Sequence, residues 1–264
     1  VSLLAQVRPP EPFHAPGLET FRPPCIVEWH AFGVDFCVDR GVIYMFLAAG
    51  IVIAVFLLAA RGGPLVPRGV RNLIESIVDF IREEIAIQVI GQEGRPWVPL
   101  LTSLFSFILV ANIFGVIPGL QLAATSRMAI PAFLAVLVWI LFVVTGIRYQ
   151  GPGYFKNVLF PPGIPKPIYI LLTPIEFVST FLVRPLTLSV RLLANMMAGH
   201  LILAIFFLGT AYLLAKPSTI PFAVPAFGLS VALVGFEILV AVLQAYIFTI
   251  LTAVYISGAV HPEH

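Results

Sequence analysis

The stretch Arg184-Pro-Leu-Thr-Leu-Ser-Val-Arg191-Leu-Leu-Ala-Asn195-Met-Met-Ala-Gly-His200 lies inside an apolar run from Ile168 to Ala215. A second apolar run, Ile220–Ser257, follows it. As a helix each run would be roughly 55–70 Å long at 1.5 Å per residue, about twice the thickness of a hydrocarbon core. Each must therefore fold back midway or cross at a strong tilt. Folding back needs a polar turn, because unpaired backbone cannot face lipid. Neither run has a Gly/Asn/Asp/Pro cluster in its middle. Only Pro174 and Pro185 interrupt the first, and Pro221 and Pro225 stand at the start of the second. The sequence thus predicts a hairpin of two long tilted helices, 168–215 and 220–258, turning near Ala215-Lys-Pro-Ser-Thr219.

Outward from that hairpin the chain keeps the same character. It is 59% hydrophobic and 11% charged, with a mean hydropathy of +1.02. A soluble domain carries about 25% charged residues. The fold class expected is an all-α polytopic membrane protein. The net charge of +2 is too small to suggest a nucleic-acid partner. No Walker motif, dinucleotide fingerprint or HExxH occurs, so no phosphate-binding or zinc chemistry is written in the sequence, and no cofactor is expected. The absence of an internal repeat weakens an inverted-repeat transporter reading.

Three further spans are expected at 42–60, 97–117 and 128–147 within a membrane domain covering 41–264. Between the first two lies a segment of another kind, 67–90. Pro67 suits a helix start. Val70, Leu73, Ile74, Ile77, Val78, Ile81, Ile85 and Val89 recur at helical spacing, with Arg71, Glu75, Asp79, Arg82 and Glu83 on the other side. This is an amphipathic helix for the membrane surface or a partner. Residues 148–167 are rich in Gly and Pro and are expected to be a loop without regular structure.

Residues 1–40 form a polar, proline-punctuated tail without the basic region and apolar core of a signal peptide. Cys25 and Cys37 are the only cysteines and have neither zinc-ligand nor CxxC spacing. They are either two unrelated thiols or a disulfide in an oxidising compartment. Arg61, Arg68, Arg71, Arg82 and Arg95 fall in one loop, and Arg148, Lys156 and Lys166 in another on the same side. The opposite short loops hold only Arg127 and Lys216. The positive-inside rule then puts the tail outside and the C-terminal end in the cytoplasm.

Arg191 has long apolar runs on both sides. Its guanidinium stays charged at any physiological pH, and a charge near the bilayer centre costs at least ~2.5–3.5 kcal/mol. Two readings are open: a structural Arg paired with a carboxylate, or a fixed charge on an ion pathway. At about 100° per residue Arg184, Arg191 and Asn195 share one narrow stripe, with Thr187 and Glu176 on its flank. His200, nine residues past Arg191, points to the opposite face. Ser230, Glu237 and Gln244 are spaced by seven and share a face. His and a buried carboxylate can bind and release protons near neutral pH. Arg cannot, so its part must be electrostatic. Its titrating partner belongs more naturally to another subunit. Asn112, in the second span, is costly to bury and is suggestive as well.

The pattern from Arg184 to Gly199 resembles the signature of subunit a of F-type ATP synthase. So does Gln244-Ala-Tyr-Ile-Phe-Thr-Ile-Leu-Thr-Ala-Val-Tyr255, and Asn112-Ile-Phe-Gly115-Val-Ile-Pro118 is similar to the family's second characteristic stretch. The resemblance implies a non-catalytic stator subunit in a bacterial plasma membrane. It would pass protons through two offset half-channels to and from the carboxylates of a rotating ring of proteolipid c subunits. Peripheral-stalk b subunits and the F1 sector would complete the complex. It implies that Arg191 is the arginine separating the half-channels, with Asn195 and Gln244 as its polar neighbours at the ring surface. His200, Glu237 and Asn112 match positions of the outer half-channel, and Glu176 one of the inner. Many bacterial members carry an acidic residue and an Asn in the loop entering the third span, where this chain reads Ala124-Thr-Ser126-Arg127-Met-Ala129. Two other classes remain: a secondary transporter in which Arg191 binds an anion, and a structural assembly subunit without an ion path.

Overall fold

A computed structural model describes residues 27–31, 34–38, 40–61, 69–117, 128–151, 153–160, 166–215 and 217–261. Five helices are long and apolar enough to cross a membrane. They belong to an all-helical membrane architecture of the expected class. One small addition precedes it: strands β1 (Val27–Ala31) and β2 (Val34–Val38) pair antiparallel, with Trp29 opposite Phe36. The expected tail did not include this hairpin. The possible Cys25–Cys37 bridge lies outside the described residues, as does the segment Ala124–Arg127.

Helix α1 (Arg40–Ala60) matches the first expected span. Its Tyr44 ring meets Phe114 at 6.2 Å between centroids. The amphipathic segment is helix α2 (Val70–Phe80), continued without a break by a π-helix over Ile81–Ile90. The widening changes which face is buried. An i→i+5 pattern brings residues four and five apart onto one side, and the buried set here is Ile81, Ile85, Ala86 and Ile90. A uniform 3.6-residue period instead favours Val89, which is only partly buried, while Val70 and Leu73 stay exposed. Gly91 ends the segment at φ +89°, a conformation that glycine adopts at little cost.

Helix α3 (Val98–Val116) follows a short 3₁₀ turn, Gln92–Trp97. It is the most enclosed span and carries Leu101, Ile108 and Asn112 in the core. Helix α4 (Ala129–Gln150) ends three residues beyond the expected span. The supposed loop after it is in part a helix, α5 (Gly153–Leu159). Gly and Pro at positions 151–153 read as a break, and a break is there, at Gly151 with φ +65°. Beyond it, Tyr154, Phe155, Val158 and Leu159 repeat at helical spacing and were obscured by the punctuation. Tyr154 is 2% exposed and lies on Gly146 of α4, where a Cβ would overlap its ring. Gly146→Ala should therefore overpack this contact and lower stability by about 1–3 kcal/mol. Thermal unfolding of the purified protein measures it, and an unchanged midpoint would mean that α5 does not depend on this contact.

The first long run is continuous from Tyr169 to Leu214 but not uniform. It comprises α6 (Tyr169–Val178), a π-turn (Ser179–Val183) and α7 (Arg184–Leu214). Pro185 lacks the N–H that would bond one turn back, and a widened turn immediately before it accommodates the gap. The chain reverses near Ala215–Thr219, as expected, where the Thr219 hydroxyl donates to the Leu213 carbonyl at 2.7 Å. Helix α8 (Ile220–Val260) returns in one piece. Small buried residues along it, Ala241, Ala245, Thr249 and Ala253, let neighbouring helices approach closely.

The ends of several elements meet at one side. The Ser257 hydroxyl donates to the Val89 carbonyl at 2.9 Å, and His261 Nε2 lies 3.1 Å from the Ile90 carbonyl. These contacts serve carbonyls that the end of the π-helix leaves without an internal partner. Gln150 Nε2 donates to the Ala259 carbonyl at 2.8 Å. The end of α8, the end of α4 and the end of the surface helix thus share a face with Arg95, Arg148 and Lys156.

Candidate functional site

Arg191 lies midway along the Tyr169–Leu214 helix, on its exposed side. Leu188, Leu192, Met196, Gly199 and Leu203 are buried and fix the opposite side against the rest of the chain. Ala194 and Ala198 are exposed beside the guanidinium, and Asn195 is half-buried. Side chains this small leave a shallow surface on which another helix can come close to the charge. Among the described residues no carboxylate pairs with Arg191. The structural ion-pair reading therefore has no support among the described residues. What remains is an outward-facing, always-charged group at mid-span.

Arg184, two turns earlier, is held differently. Its guanidinium carbon sits 5.2 Å from the centroid of the Tyr255 ring of α8, a cation–π contact. Arg184 also acts electrostatically on Tyr154. Burial pushes the Tyr154 hydroxyl above its ordinary pKa, and Arg184 pulls it back part of the way. Glu176 is half-buried on α6. The sequence places it on the flank of the arginine stripe, but that reckoning assumes one uniform helix. The π-turn between Glu176 and Arg184 changes the rotation, so the 100° rule does not carry across it.

The titratable pair sits on the other side of Arg191, towards the interhelical turn. His200 is 8% exposed and faces inward, opposite Arg191, as its spacing predicts. Its ring hydrogen-bonds to the backbone of Gly115 on α3. Asn112, one turn before Gly115, is 1% exposed. Glu237 of α8 is half-buried, and its carboxylate lies against Gly199 of α7, where a Cβ would overlap it. Gly199 and His200 are neighbours in sequence. His200 thus reaches α3 one turn from Asn112, and Glu237 reaches the α7 residue that precedes His200.

Two more polar residues lie beyond them. Thr210 and Ser230, both buried, approach to 3.5 Å between hydroxyl oxygens. Ser230 was visible through its seven-residue spacing from Glu237. Thr210 had no such signal, because its hydroxyl also bonds the Phe206 carbonyl, as many helical threonines do. Gly199 was likewise missed as a site residue. It stands in the quoted motif, but its importance comes from what packs on it.

The Thr210–Ser230 and Gly199–Glu237 contacts set the register of α7 against α8. That register brings Gln244 to about the depth of Arg191. Gln244 is nevertheless inside the chain, 5% exposed, and not on the exposed surface beside the arginine. Its Nε2 is buried without a hydrogen-bond partner. Such a donor is costly unless something else meets it.

Residues 42–257 match the family model for the ATP synthase A chain. The chain is 44% identical over 257 residues to ATP synthase subunit a of Frankia alni, covering 96% of this chain and 89% of that one. It is 41% identical over 255 residues to ATP synthase subunit a of Rhodococcus erythropolis, covering 95% and 92% respectively. It is also 42% identical over 221 residues to ATP synthase subunit a of Hyphomonas neptunium, covering 83% and 86%.

Proposed function

Because the chain belongs to the ATP synthase subunit a family, the proton-translocating stator of the membrane sector, we propose that its own residues divide that task as follows. Arg191 faces the carboxylates of a rotating proteolipid ring and holds each one ionised as it passes. Asn112, His200 and Glu237 carry protons in the half-channel on the side of the interhelical turn. Glu176 belongs to the half-channel on the other side. Asn195 flanks Arg191 at the ring surface, and Gln244 backs it from within at the same depth. The chain itself carries no nucleotide chemistry. The observation that carries this reading is the exposed Arg191 at mid-span, without a carboxylate partner among the described residues and bordered by Ala194 and Ala198. An anion transporter with a binding arginine is not favoured by the family assignment.

The proposed orientation puts the shared end of α4, α8 and the surface helix in the cytoplasm of a bacterial cell, and the 215–219 turn outside. The basic residues gathered at that end support it. The c-ring, peripheral-stalk b subunits and F1 are the proposed neighbours.

The relay is tested by proton flux through the reconstituted complex. His200→Ala or Glu237→Ala should slow flux per assembled complex by about a hundredfold, the low end of what a positioned proton-transfer group contributes. The exchange His200→Glu with Glu237→His should restore part of it, since a relay needs both groups and not their order. Unchanged flux per complex, with only less complex assembled, would make the pair structural.

A further inference from the structure

Where α1, the surface helix and the start of α3 meet, a groove of about 720 Å³ opens at the level of the helix ends. Its floor is apolar, with Phe56 of α1, Val78 of α2 and Val98 of α3. Its rim is charged. Arg82 on that rim is already taken, since its guanidinium bonds Asp79 at 3.1 Å. Arg95 and Glu83 are different. Both are exposed, both line the groove, and among the described residues neither has an ion-pair partner. The groove therefore offers one free cation and one free anion above an apolar floor.

A third feature points into the same space. Thr102 lines the groove and is 2% exposed, yet among the described residues its hydroxyl has no hydrogen-bond partner. Its neighbour Ser103 bonds the Pro99 carbonyl one turn back, as a helical hydroxyl normally does. A buried hydroxyl without a partner costs about 1–3 kcal/mol unless a ligand meets it.

We propose that this groove binds one aminophospholipid of the phosphatidylethanolamine type. Its phosphodiester lies against Arg95, its ammonium against Glu83, its ester region beside Thr102, and its acyl chains run over Phe56, Val78 and Val98. The charge pattern selects the class. Phosphatidylglycerol would meet Glu83 with neutral glycerol hydroxyls, which donate hydrogen bonds but leave the carboxylate charge uncompensated. A choline headgroup has no N–H to donate to the carboxylate. A primary ammonium has three donors. Basic pockets between membrane helices are known to hold lipid headgroups, and an acidic group beside the basic one narrows the choice.

The test uses the whole complex, reconstituted in phosphatidylcholine vesicles doped with either phosphatidylethanolamine or phosphatidylglycerol. A photo-crosslinking amino acid replaces the exposed Ser103, and adducts are weighed per assembled complex. Phosphatidylethanolamine should be the main adduct. Arg95→Gln should lower its yield about five-fold, the factor set by one basic residue acting on lipid phosphate. Glu83→Gln should leave total lipid adduct near the parent level and abolish the preference over phosphatidylglycerol. The proposal falls if yields ignore both substitutions, or if phosphatidylcholine is captured equally. It also falls if the adduct is a polypeptide, which would make the groove a contact for another subunit.

Discussion

Arg191→Ala is expected to abolish ATP synthesis coupled to proton flow. In an apolar interface a carboxylate is pushed towards its neutral form, and an opposite charge within about 4–6 Å lowers its pKa by about 1–3 units. Arg191 is the outward-facing charge at mid-span, and among the described residues no carboxylate pairs with it. Without it, a passing ring carboxylate would stay protonated about ten- to a thousandfold more often, at 1.36 kcal/mol per unit. It would then cross from one half-channel to the other without giving up its proton. Arg191→Lys should recover little, because an ammonium lacks the planar fork and loses its proton more readily when desolvated. ATP-driven proton pumping in vesicles is the measurement. Near-normal pumping by Arg191→Ala would remove Arg191 from the mechanism.

Gly199→Ala should lower proton flux nearly as much as loss of the Glu237 carboxylate itself, although position 199 has no chemistry of its own. A Cβ there would occupy the space of the Glu237 carboxylate. Both residues are on helices, so the backbone has little room to yield. The Glu237 carboxylate must then leave its place beside Gly199, and the proposed relay would be broken at that step. Shortening the acid tests the geometry. Gly199→Ala combined with Glu237→Asp, which removes one methylene, should conduct better than Gly199→Ala alone. If the single substitution conducts normally per assembled complex, the contact between Glu237 and Gly199 is not part of the path.

The helical hairpin was legible because its two runs are too long and too apolar for anything else. The inward direction of His200 was also legible, since nine residues along a regular helix reverse the face. What failed was reasoning that assumed regularity where the helix is not regular. The buried face of the surface helix passes to Ala86 and Ile90 because the backbone widens at Ile81. The 100° reckoning that puts Glu176 on the flank of the arginine stripe does not carry across the π-turn at Ser179–Val183 for the same reason. Helix α5 was hidden by Gly151 and Pro152; the break at Gly151 is real, but a helix resumes at Gly153. Gln244 shows another limit. Spacing gave its shared face with Ser230 and Glu237, and the resemblance implied the ring surface, but only packing shows that Gln244 is turned inward. Gly199 is the converse case, a residue whose role is to leave space.

The π-turn at Ser179–Val183 has a consequence for how this chain can change in length. A turn of that kind holds about one residue more than its regular counterpart. Deleting a single residue there would let the helix close up into ordinary geometry instead of breaking it. Four residues at about 100° each turn through nearly the angle that five span in the wider turn, so α6 and everything from Arg184 onward could both keep their faces. Only the contact of Phe177 with Phe181, at 5.2 Å between ring centroids, would have to re-form in the tighter turn. The segment is thus a point where a one-residue deletion is absorbed, whereas the same deletion inside α7 would turn one half of the helix by about 100° against the other. Comparing deletions at 179–183 with deletions inside α7 would show which direction Glu176 must face.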